Sequence, residues 1–253
     1  MMAFITGATS GIGLATAHIF AENNIDLILC GRRTERLKEL EKELSQKVKV
    51  TTLSFDVRNR EEVQKAIDSL SSEFKNIDIL INNAGNAHGL SPIQDGSLDD
   101  WDTMIDLNIK GLLYVTKAIL PKLLNETRSE KNKGQIINIG SIAGIDSYAN
   151  GNVYCATKSA VAMLSETMRI DLLKENIKVS EVKPGLVETE FSKVRFKNDE
   201  ERAEKVYQNY MPLTAQDVAE LIYFVVSRPA HVNIADVLIL PADQAKSAMV
   251  NKK

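Results

Sequence analysis

The chain has 253 residues, of which 44% are hydrophobic and 26% are charged, the proportions of an ordinary soluble globular protein. Its 31 lysines and arginines against 34 aspartates and glutamates give a net charge of −3, which argues against partners such as nucleic acid or an anionic membrane. Two cysteines, Cys30 and Cys155, are too few for a disulfide framework. The sequence also shows no recognisable signal peptide and no apolar run of about 20 residues, so we expect a cytoplasmic protein.

Short runs of apolar, β-prone residues alternate along the chain with longer segments that have the 3.6-residue periodicity of helices. Strands are predicted over residues 2–6, 27–30, 48–54, 77–81, 135–140, 177–183 and 237–240. Helices are predicted over residues 33–45, 61–74, 101–124 and 153–174. Continuous apolar strands separated by helices are typical of a parallel sheet covered on both faces. The pattern therefore predicts a single α/β domain over residues 1–253, with a doubly wound, Rossmann-type parallel sheet.

The longest irregular stretch, residues 185–212, directly follows a predicted strand and carries many charged side chains. Ligands of open parallel sheets bind at the carboxyl ends of the strands, and long loops in compact domains are often lids. We therefore expect this 185–212 segment to cover a substrate. The alternative is a solvated surface insertion.

A glycine-rich segment at residues 6–13 directly follows the first predicted strand. Glycines at such a turn let a pyrophosphate approach a helix N-terminus, where unpaired N–H groups and the helix dipole favour an anion. The spacing differs from the usual dinucleotide fingerprint, and glycine is also common in ordinary strand–helix turns. If the segment binds a dinucleotide, the residues in contact with it are Gly7, Thr9, Ser10, Gly11, Ile12 and Gly13.

The end of the second predicted strand indicates which dinucleotide would bind. An acidic residue there would bind the ribose 2′-hydroxyl of NAD, whereas an arginine accommodates the 2′-phosphate of NADP. This chain has Arg32 and Arg33 at that point and no carboxylate. The arginines could be only the solvated start of a helix, but cations are disfavoured at a helix N-terminus, and a bound phosphate would remove that conflict. The sequence therefore favours NADP.

Tyr154 and Lys158 lie four residues apart in a predicted helix and so share one of its faces. A free tyrosine has a pKa near ~10 and is a poor base at neutral pH, but a nearby ammonium group favours the phenolate and lowers that pKa. This pair is a candidate acid–base site. The same spacing also arises by coincidence in long helices.

Together with further short motifs, these residues resemble the short-chain dehydrogenase/reductase family over nearly the whole chain. The matching motifs, in chain order, are residues 6–13, Asp56-Val57, Asn82-Asn83-Ala84-Gly85, Asn108, Ser141, Tyr154 with Lys158, and residues 184–189. Each motif is short, but their order and spacing together are specific.

The resemblance implies an NADP(H)-dependent oxidoreductase with a catalytic tetrad. Tyr154 would be the general acid in reduction and the general base in oxidation, and Lys158 would lower its pKa and bind the nicotinamide ribose. Ser141 would hydrogen-bond the substrate oxygen, and Asn108 would hold a water that links Lys158 to solvent. The other implied cofactor contacts are Asp56 and Val57 at the adenine, Asn83, Ala84 and Gly85 beside the adenosine ribose, and Pro184, Gly185, Val187 and Thr189 at the nicotinamide end. No metal is implied, since the hydride chemistry belongs to the cofactor.

Longer stretches resemble one subgroup, the NADP-dependent 3-hydroxy acid dehydrogenases, which act on serine, allo-threonine and 3-hydroxypropionate. They are residues 151–154, 184–187, 190–197, 207–209 and 229–234. A small hydroxy acid substrate makes Arg195 the candidate partner of its carboxylate, because the planar guanidinium can hold a carboxylate through two hydrogen bonds. The alternative is that Arg195 pairs with Glu190 or Asp199 on the surface.

Other functions and assemblies are also compatible with the motifs. The same tetrad serves reductases of ketoacyl thioesters and of bulky apolar ketones, and a catalytically silent NADP(H)-sensing module would keep the cofactor motifs alone. The predicted helices over residues 101–124 and 153–174 carry more apolar residues than one core stripe holds. Either they are buried within one subunit, or, as the resemblance implies, they pair across a dimer interface within a homotetramer.

Overall fold

The computed structural model describes residues 1–124 and 134–253. Seven parallel strands form one sheet in the order β3-β2-β1-β4-β5-β6-β7. They are β1 (Met2–Thr6), β2 (Asp26–Gly31), β3 (Val50–Ser54), β4 (Ile79–Asn82), β5 (Gln135–Ile139), β6 (Lys178–Pro184) and β7 (Asp236–Ile239). The strand order reverses between β1 and β4, which in such sheets is where ligands bind. The predicted doubly wound α/β sheet is confirmed.

Helices cover both faces of the sheet. They are α1 (Gly11–Glu22), α2 (Thr34–Leu44), α3 (Arg60–Asp68), α4 (Leu98–Ile105), α5 (Leu112–Leu123), α6 (Asn152–Asp171), α7 (Phe191–Arg195), α8 (Glu200–Lys205) and α9 (Ala215–Val226). Two short antiparallel strands, β8 (Gln244–Lys246) and β9 (Met249–Val250), follow the sheet. No helix in the described part of the chain has the length and apolar character of a membrane span.

The core has two halves, one on each face of the sheet. Ile5 and Ile81 pack on one face against α1, α2 and α9. Phe4 and Leu80 point the other way and pack against α3 and α5. Because alternate residues of each central strand are buried on opposite faces, these strands are apolar throughout, as the sequence pattern indicated.

Three predicted elements differ from the structure. The helix predicted over 61–74 ends at Asp68, and a separate 3₁₀ turn covers Ser72–Phe74. Ser69, just after α3, donates to the carbonyl of Ala66 at 2.7 Å, the kind of local hydrogen bond by which serine competes with helix continuation. The helix predicted over 101–124 is divided into α4, a π-helical segment at Asp106–Gly111, and α5.

The third difference is the 185–212 segment, which we expected to be irregular. It contains α7 and α8, and Asp199 starts α8 by accepting a hydrogen bond from the backbone N–H of Arg202 at 3.1 Å. The antiparallel pair β8–β9 was not predicted, because its strands of three and two residues are too short to show periodicity.

Candidate active site

A cleft of about 450 Å³ lies at the carboxyl ends of the strands, between the loops that follow them and the 185–212 segment. Nearly all the predicted site residues line it, among them Gly7, Tyr154 and Arg195. The exceptions are Gly13 and Asn108, which lie behind its wall. The cleft therefore brings the predicted cofactor residues and the predicted catalytic residues together.

The glycine-rich segment at 6–13 forms a cradle between β1 and α1. Gly7 and Gly11 have φ angles of 66° and 54°, which L side chains rarely adopt. A Cβ added at Gly13 would lie 2.5 Å from the Gly7 carbonyl oxygen, so Gly13 allows close packing rather than facing the cleft. Ser10 precedes α1, and its hydroxyl oxygen accepts no capping hydrogen bond from a described backbone N–H group of the helix. The first N–H groups of α1 can thus receive an anion, and this end of the cleft fits a dinucleotide pyrophosphate.

Arg33 connects this cradle to the 185–212 segment. Its guanidinium donates to Thr9 Oγ1 at 2.9 Å, to Ser10 Oγ at 2.6 Å and to Glu190 Oε2 at 2.7 Å. Arg36 donates to the other Glu190 oxygen at 2.9 Å. Hydrogen bonds from the two arginines, with that from Arg33 the stronger, hold the pKa of the Glu190 carboxyl at about 2. The predicted conflict of cations at the start of α2 is thus relieved here by a carboxylate.

Arg32, the other arginine predicted to choose the cofactor, points towards the loop after β3. Its guanidinium lies 3.7 Å from the Asp56 carboxylate, which pairs more closely with Arg58 at 2.6 Å. Both Arg32 and Asp56 line the cleft, and the Arg32 side chain is 67% exposed. It is therefore accessible to a ligand at this end.

The loop after β4 is fixed to the cradle by side-chain hydrogen bonds. Thr6 Oγ1 accepts from the backbone N–H groups of Asn83 and Ala84, both at 3.0 Å. The Asn83 side chain donates back to the carbonyl of Thr6 at 2.9 Å. These contacts hold residues 83–85 beside Gly7, in the lining of the cleft.

Tyr154 and Lys158 lie one turn apart on α6, and Ser141 lies at the end of β5. Ser141 Oγ accepts a hydrogen bond from the backbone N–H of Ala143 at 3.1 Å, which fixes the hydroxyl at the start of a 3₁₀ turn. Burial is the main reason that the pKa of Tyr154 is raised, while Ser141 and Arg195 act to lower it. The buried environment therefore favours the phenol form of Tyr154, the form that has a proton to donate.

Lys158 is buried beside Tyr154, and its Nζ donates to the carbonyl oxygen of Ile139 at 2.9 Å. Burial lowers the pKa of Lys158 to about 8, against the opposing charge of Glu181. The groups that act on the pKa of Tyr154 here are Tyr148, Ser141, Arg195 and Cys155. The lowering of the Tyr154 pKa by Lys158 stays a prediction.

Asn108 lies in the π-helical segment, and its side chain makes three hydrogen bonds. Its amide nitrogen donates to the Asn86 carbonyl at 2.8 Å and to Thr157 Oγ1 at 3.0 Å, and its oxygen accepts from the Asn86 N–H at 2.9 Å. A Cβ added at Gly85 would lie 3.2 Å from Asn108 Oδ1 and 3.6 Å from Lys158 Nζ. Asn108 thus joins the loop after β4 to α6 next to the lysine.

Arg195 ends α7 and reaches the part of the cleft that holds Tyr154. Its guanidinium donates to Tyr148 Oη at 2.8 Å and to the Gly89 carbonyl at 3.3 Å, and it lies 5.6 Å from the Tyr154 ring centre. Glu190 pairs with Arg33 and Arg36 at the start of α2, and Asp199 caps α8. The surface pairing with these carboxylates that the sequence left open is therefore not formed in the described structure.

Several residues of the site were not foreseen. Tyr148, Tyr207 and Gln244 line the cleft, and Tyr207 donates to the Val187 carbonyl at 2.9 Å. Arg36 follows Arg33 by three residues on α2, a helical spacing that was available as a signal. Tyr148 and Gln244 carry no local motif, whereas Tyr207 belongs to the stretch 207–209, to which the resemblance gave no role in the site. Among the described residues, no group of three or more His, Cys, Asp or Glu side chains could hold a metal ion.

Comparison with known proteins finds similarity along almost the whole chain. A family model described as short chain dehydrogenase matches residues 1–200. NADP-dependent 3-hydroxy acid dehydrogenase YdfG of Salmonella typhi is 47% identical over 246 residues, 97% of this chain and 96% of that protein. Sulfoacetaldehyde reductase 2 of Chromohalobacter salexigens is 47% identical over 244 residues, 96% of this chain and 95% of that protein. The closed form of serine dehydrogenase complexed with NADP+ is 45% identical, with a TM-score of 0.91 and 100% coverage of both chains.

Proposed function

Because the chain belongs to the short-chain dehydrogenase family, we propose that it is an NADP-dependent oxidoreductase that acts on small 3-hydroxy acids of the serine, allo-threonine and 3-hydroxypropionate type. The observation that carries this proposal is the pairing of a proton donor with a cation in one cleft. The guanidinium of Arg195 lies 5.6 Å from the ring centre of Tyr154, so a carboxylate held by Arg195 would leave a hydroxyl two carbons away beside Tyr154.

When bound, NADP(H) supplies or accepts the hydride at the substrate carbon. Tyr154 gives its proton to the carbonyl oxygen in reduction and takes the hydroxyl proton in oxidation. Ser141 donates a hydrogen bond to the same oxygen. Lys158 holds the ribose hydroxyls and lowers the Tyr154 pKa, and Asn108 holds a water that connects the lysine to solvent.

The cofactor contacts that we propose follow the cleft from the adenine end to the nicotinamide end. Arg32 and Arg33 bind the 2′-phosphate, since both line the cleft and Arg33 lies at the cradle. The glycine-rich segment binds the pyrophosphate. The remaining contacts are Asp56 and Val57 at the adenine, Asn83, Ala84 and Gly85 beside the ribose, and Pro184, Gly185, Val187 and Thr189 at the nicotinamide end.

We also propose that the 185–212 segment is the substrate cover. Arg195 attaches it to the loop after β4 through Gly89 and to Tyr148, and Glu190 attaches it to α2. Both attachments cross the cleft, one at each end. A small polar acid suits a cover of this kind, because the enclosed end carries a cation and several polar groups.

Assembly and location are further proposals. Met163 and Ile170 on α6 are 59% and 68% exposed, and Leu113 on α5 is 37% exposed. Apolar side chains in such positions support packing of these helices against a second copy, within a homotetramer. Both cysteines, Cys30 and Cys155, are buried and free, which supports a reducing compartment such as the cytoplasm.

A substrate panel tests the function. The purified enzyme is assayed with serine, allo-threonine and 3-hydroxypropionate, each with NADP and with NAD, by the absorbance of the reduced cofactor. Sulfoacetaldehyde and a 3-ketoacyl thioester are assayed with NADPH in the reducing direction. We expect the highest kcat/KM for a 3-hydroxy acid with NADP. A higher value for the sulfonate or the thioester would replace the proposed substrate class, and no turnover with any compound would favour a silent cofactor-binding module.

A further inference from the structure

We infer that Glu181 is a positioning residue for Lys158, and that its buried carboxylate keeps the lysine side chain cationic at the site. The inference deepens the role proposed above for Lys158 and rests on it. Glu181 lies in the middle of β6, outside the motifs that the sequence singled out, and is 1% exposed.

A buried carboxylate requires compensation, because removing its charge from water costs several kcal/mol. One oxygen of Glu181 lies 3.0 Å from Nζ of Lys183, two residues along the same strand. The other oxygen, Oε1, has no hydrogen-bond partner among the described residues. Pairing with Lys183 alone therefore leaves half of this carboxylate without a direct partner.

The unpartnered oxygen faces the backbone of the active site. It packs against Gly140, where an added Cβ would overlap the carboxylate. Gly140 links Ile139, whose carbonyl accepts the hydrogen bond from Lys158, to Ser141. Glu181 thus lies against the short stretch of backbone that holds the lysine on one side and carries the catalytic serine on the other.

The charges around Glu181 leave its carboxylate able to stabilise the cationic form of Lys158. Lys183 is shared, since it also pairs with Asp236 at the edge of the sheet, so the negative charge of Glu181 is only partly neutralised by its own strand. Because both side chains are buried, where water screens charges poorly, that charge stabilises the ammonium form of Lys158. Burial lowers the pKa of Lys158 and Glu181 raises it, which agrees with this arrangement.

Two carboxylates on the elements that pack against α6 have lysine partners of their own. Tyr154 is the titratable neighbour on α6 itself. Asp100 of α4 pairs with Lys197 at 3.1 Å, and Asp106 of the π-helical segment pairs with Lys110 at 2.7 Å. Glu181 is therefore the carboxylate to which we assign the effect.

The test measures the pKa of Lys158 directly in the cofactor-free enzyme. Lysine labelled with ¹³C at the ε-carbon is titrated by NMR, and the Lys158 signal is assigned with Lys158→Arg. In wild type we expect a pKa of about 8. Glu181→Gln keeps the shape of the side chain and removes its charge, so we expect the pKa of Lys158 to be about one pH unit lower in this variant. The cationic fraction of Lys158 should then be about threefold smaller than in wild type at pH 7.5, and almost equal to that of wild type at pH 6. The alkaline loss of turnover should move by the same amount.

Two further variants separate positioning from a structural role. Asp236→Asn removes the outer partner of Lys183 and leaves Lys183 to neutralise Glu181 more completely, so the pKa of Lys158 should fall, but by less than in Glu181→Gln. Glu181→Asp keeps the charge but withdraws it by one methylene, and should lower the pKa of Lys158 by less than Glu181→Gln does. If Glu181→Gln does not fold, Glu181→Asp carries the test. An unchanged pKa of Lys158 in whichever Glu181 variant folds would overturn the inference.

Failure of the proposed function would give a different result. In that case the wild-type enzyme would turn over no substrate, yet the pKa of Lys158 would still fall when Glu181 is replaced. If the wild-type enzyme is active but the pKa of Lys158 does not change when Glu181 is replaced, the inference is wrong and the proposed function is unaffected.

Discussion

Replacing Arg195 with alanine tests the substrate class, because we propose that the Arg195 guanidinium binds the substrate carboxylate. The guanidinium has five N–H donors, and the described contacts with Tyr148 and Gly89 use two of its nitrogens, at 2.8 and 3.3 Å. Donors therefore remain for a carboxylate. A hydrogen bond between charged groups contributes about 1.5–3 kcal/mol, which corresponds to a loss of about 10- to 150-fold in kcat/KM.

The assay compares 3-hydroxypropionate with 3-hydroxypropionamide, which has nearly the same shape and no charge. Loss of the contacts with Tyr148 and Gly89 loosens the 185–212 segment equally for both compounds. The ratio of the two kcat/KM values therefore isolates the carboxylate contact. We expect Arg195→Ala to lower this ratio by about 10- to 150-fold, mainly through KM for the acid.

Arg202 provides the matched control. It belongs to α8 in the same segment and stacks on Phe196 at 4.5 Å, the ring that Arg195 also approaches, at 6.0 Å. Arg202→Ala should lower kcat/KM only slightly, and by the same factor for the acid and for the amide. Equal losses for the acid and the amide in Arg195→Ala would refute the reasoning, and would show that Arg195 only holds the segment in place.

Three further outcomes are expected. Tyr154→Phe should keep NADPH binding, measured by fluorescence titration, and lower turnover by about 10²- to 10⁴-fold because the transferable proton is lost; near-normal turnover would contradict its role. Arg32→Asp should weaken NADP about tenfold through repulsion and strengthen NAD, and equal dissociation constants of wild type for the two cofactors would contradict the premise. Glu190→Gln should speed proteolysis within residues 185–212. Because the pKa of Glu190 is lowered to about 2, its ion pair with the arginines persists from pH 8 to pH 5 and is lost only as the pH falls towards 2. The susceptibility of the wild-type segment to proteolysis should therefore not change between pH 8 and pH 5.

The sequence predicted those parts of the molecule that depend on local spacing. Tyr154 and Lys158 share a helix, and the glycines at 7 and 11 have the positive φ that the turn requires. It could not predict pairings between distant residues, such as Glu190 with Arg33, which are 157 residues apart. Nor could it show that Glu181 lies beside Gly140, because that contact depends on the register between β5 and β6.

The charges at the proposed adenine end of the cleft affect both the preference for a cofactor and the closure of the 185–212 segment over the substrate. Arg32, Arg33 and Arg36 carry three positive charges, Glu190 offsets one of them, and Asp56 is balanced by its own partner. The remaining two match a 2′-phosphate, which carries close to two negative charges at neutral pH, whereas the 2′-hydroxyl of NAD would leave them uncompensated. Because Glu190 belongs to the 185–212 segment, Arg33, which we propose to bind the 2′-phosphate, also holds that segment against the glycine-rich cradle. A substitution in this cluster should therefore change cofactor affinity and closure together, although the cluster lies at the opposite end of the cleft from the reacting atoms.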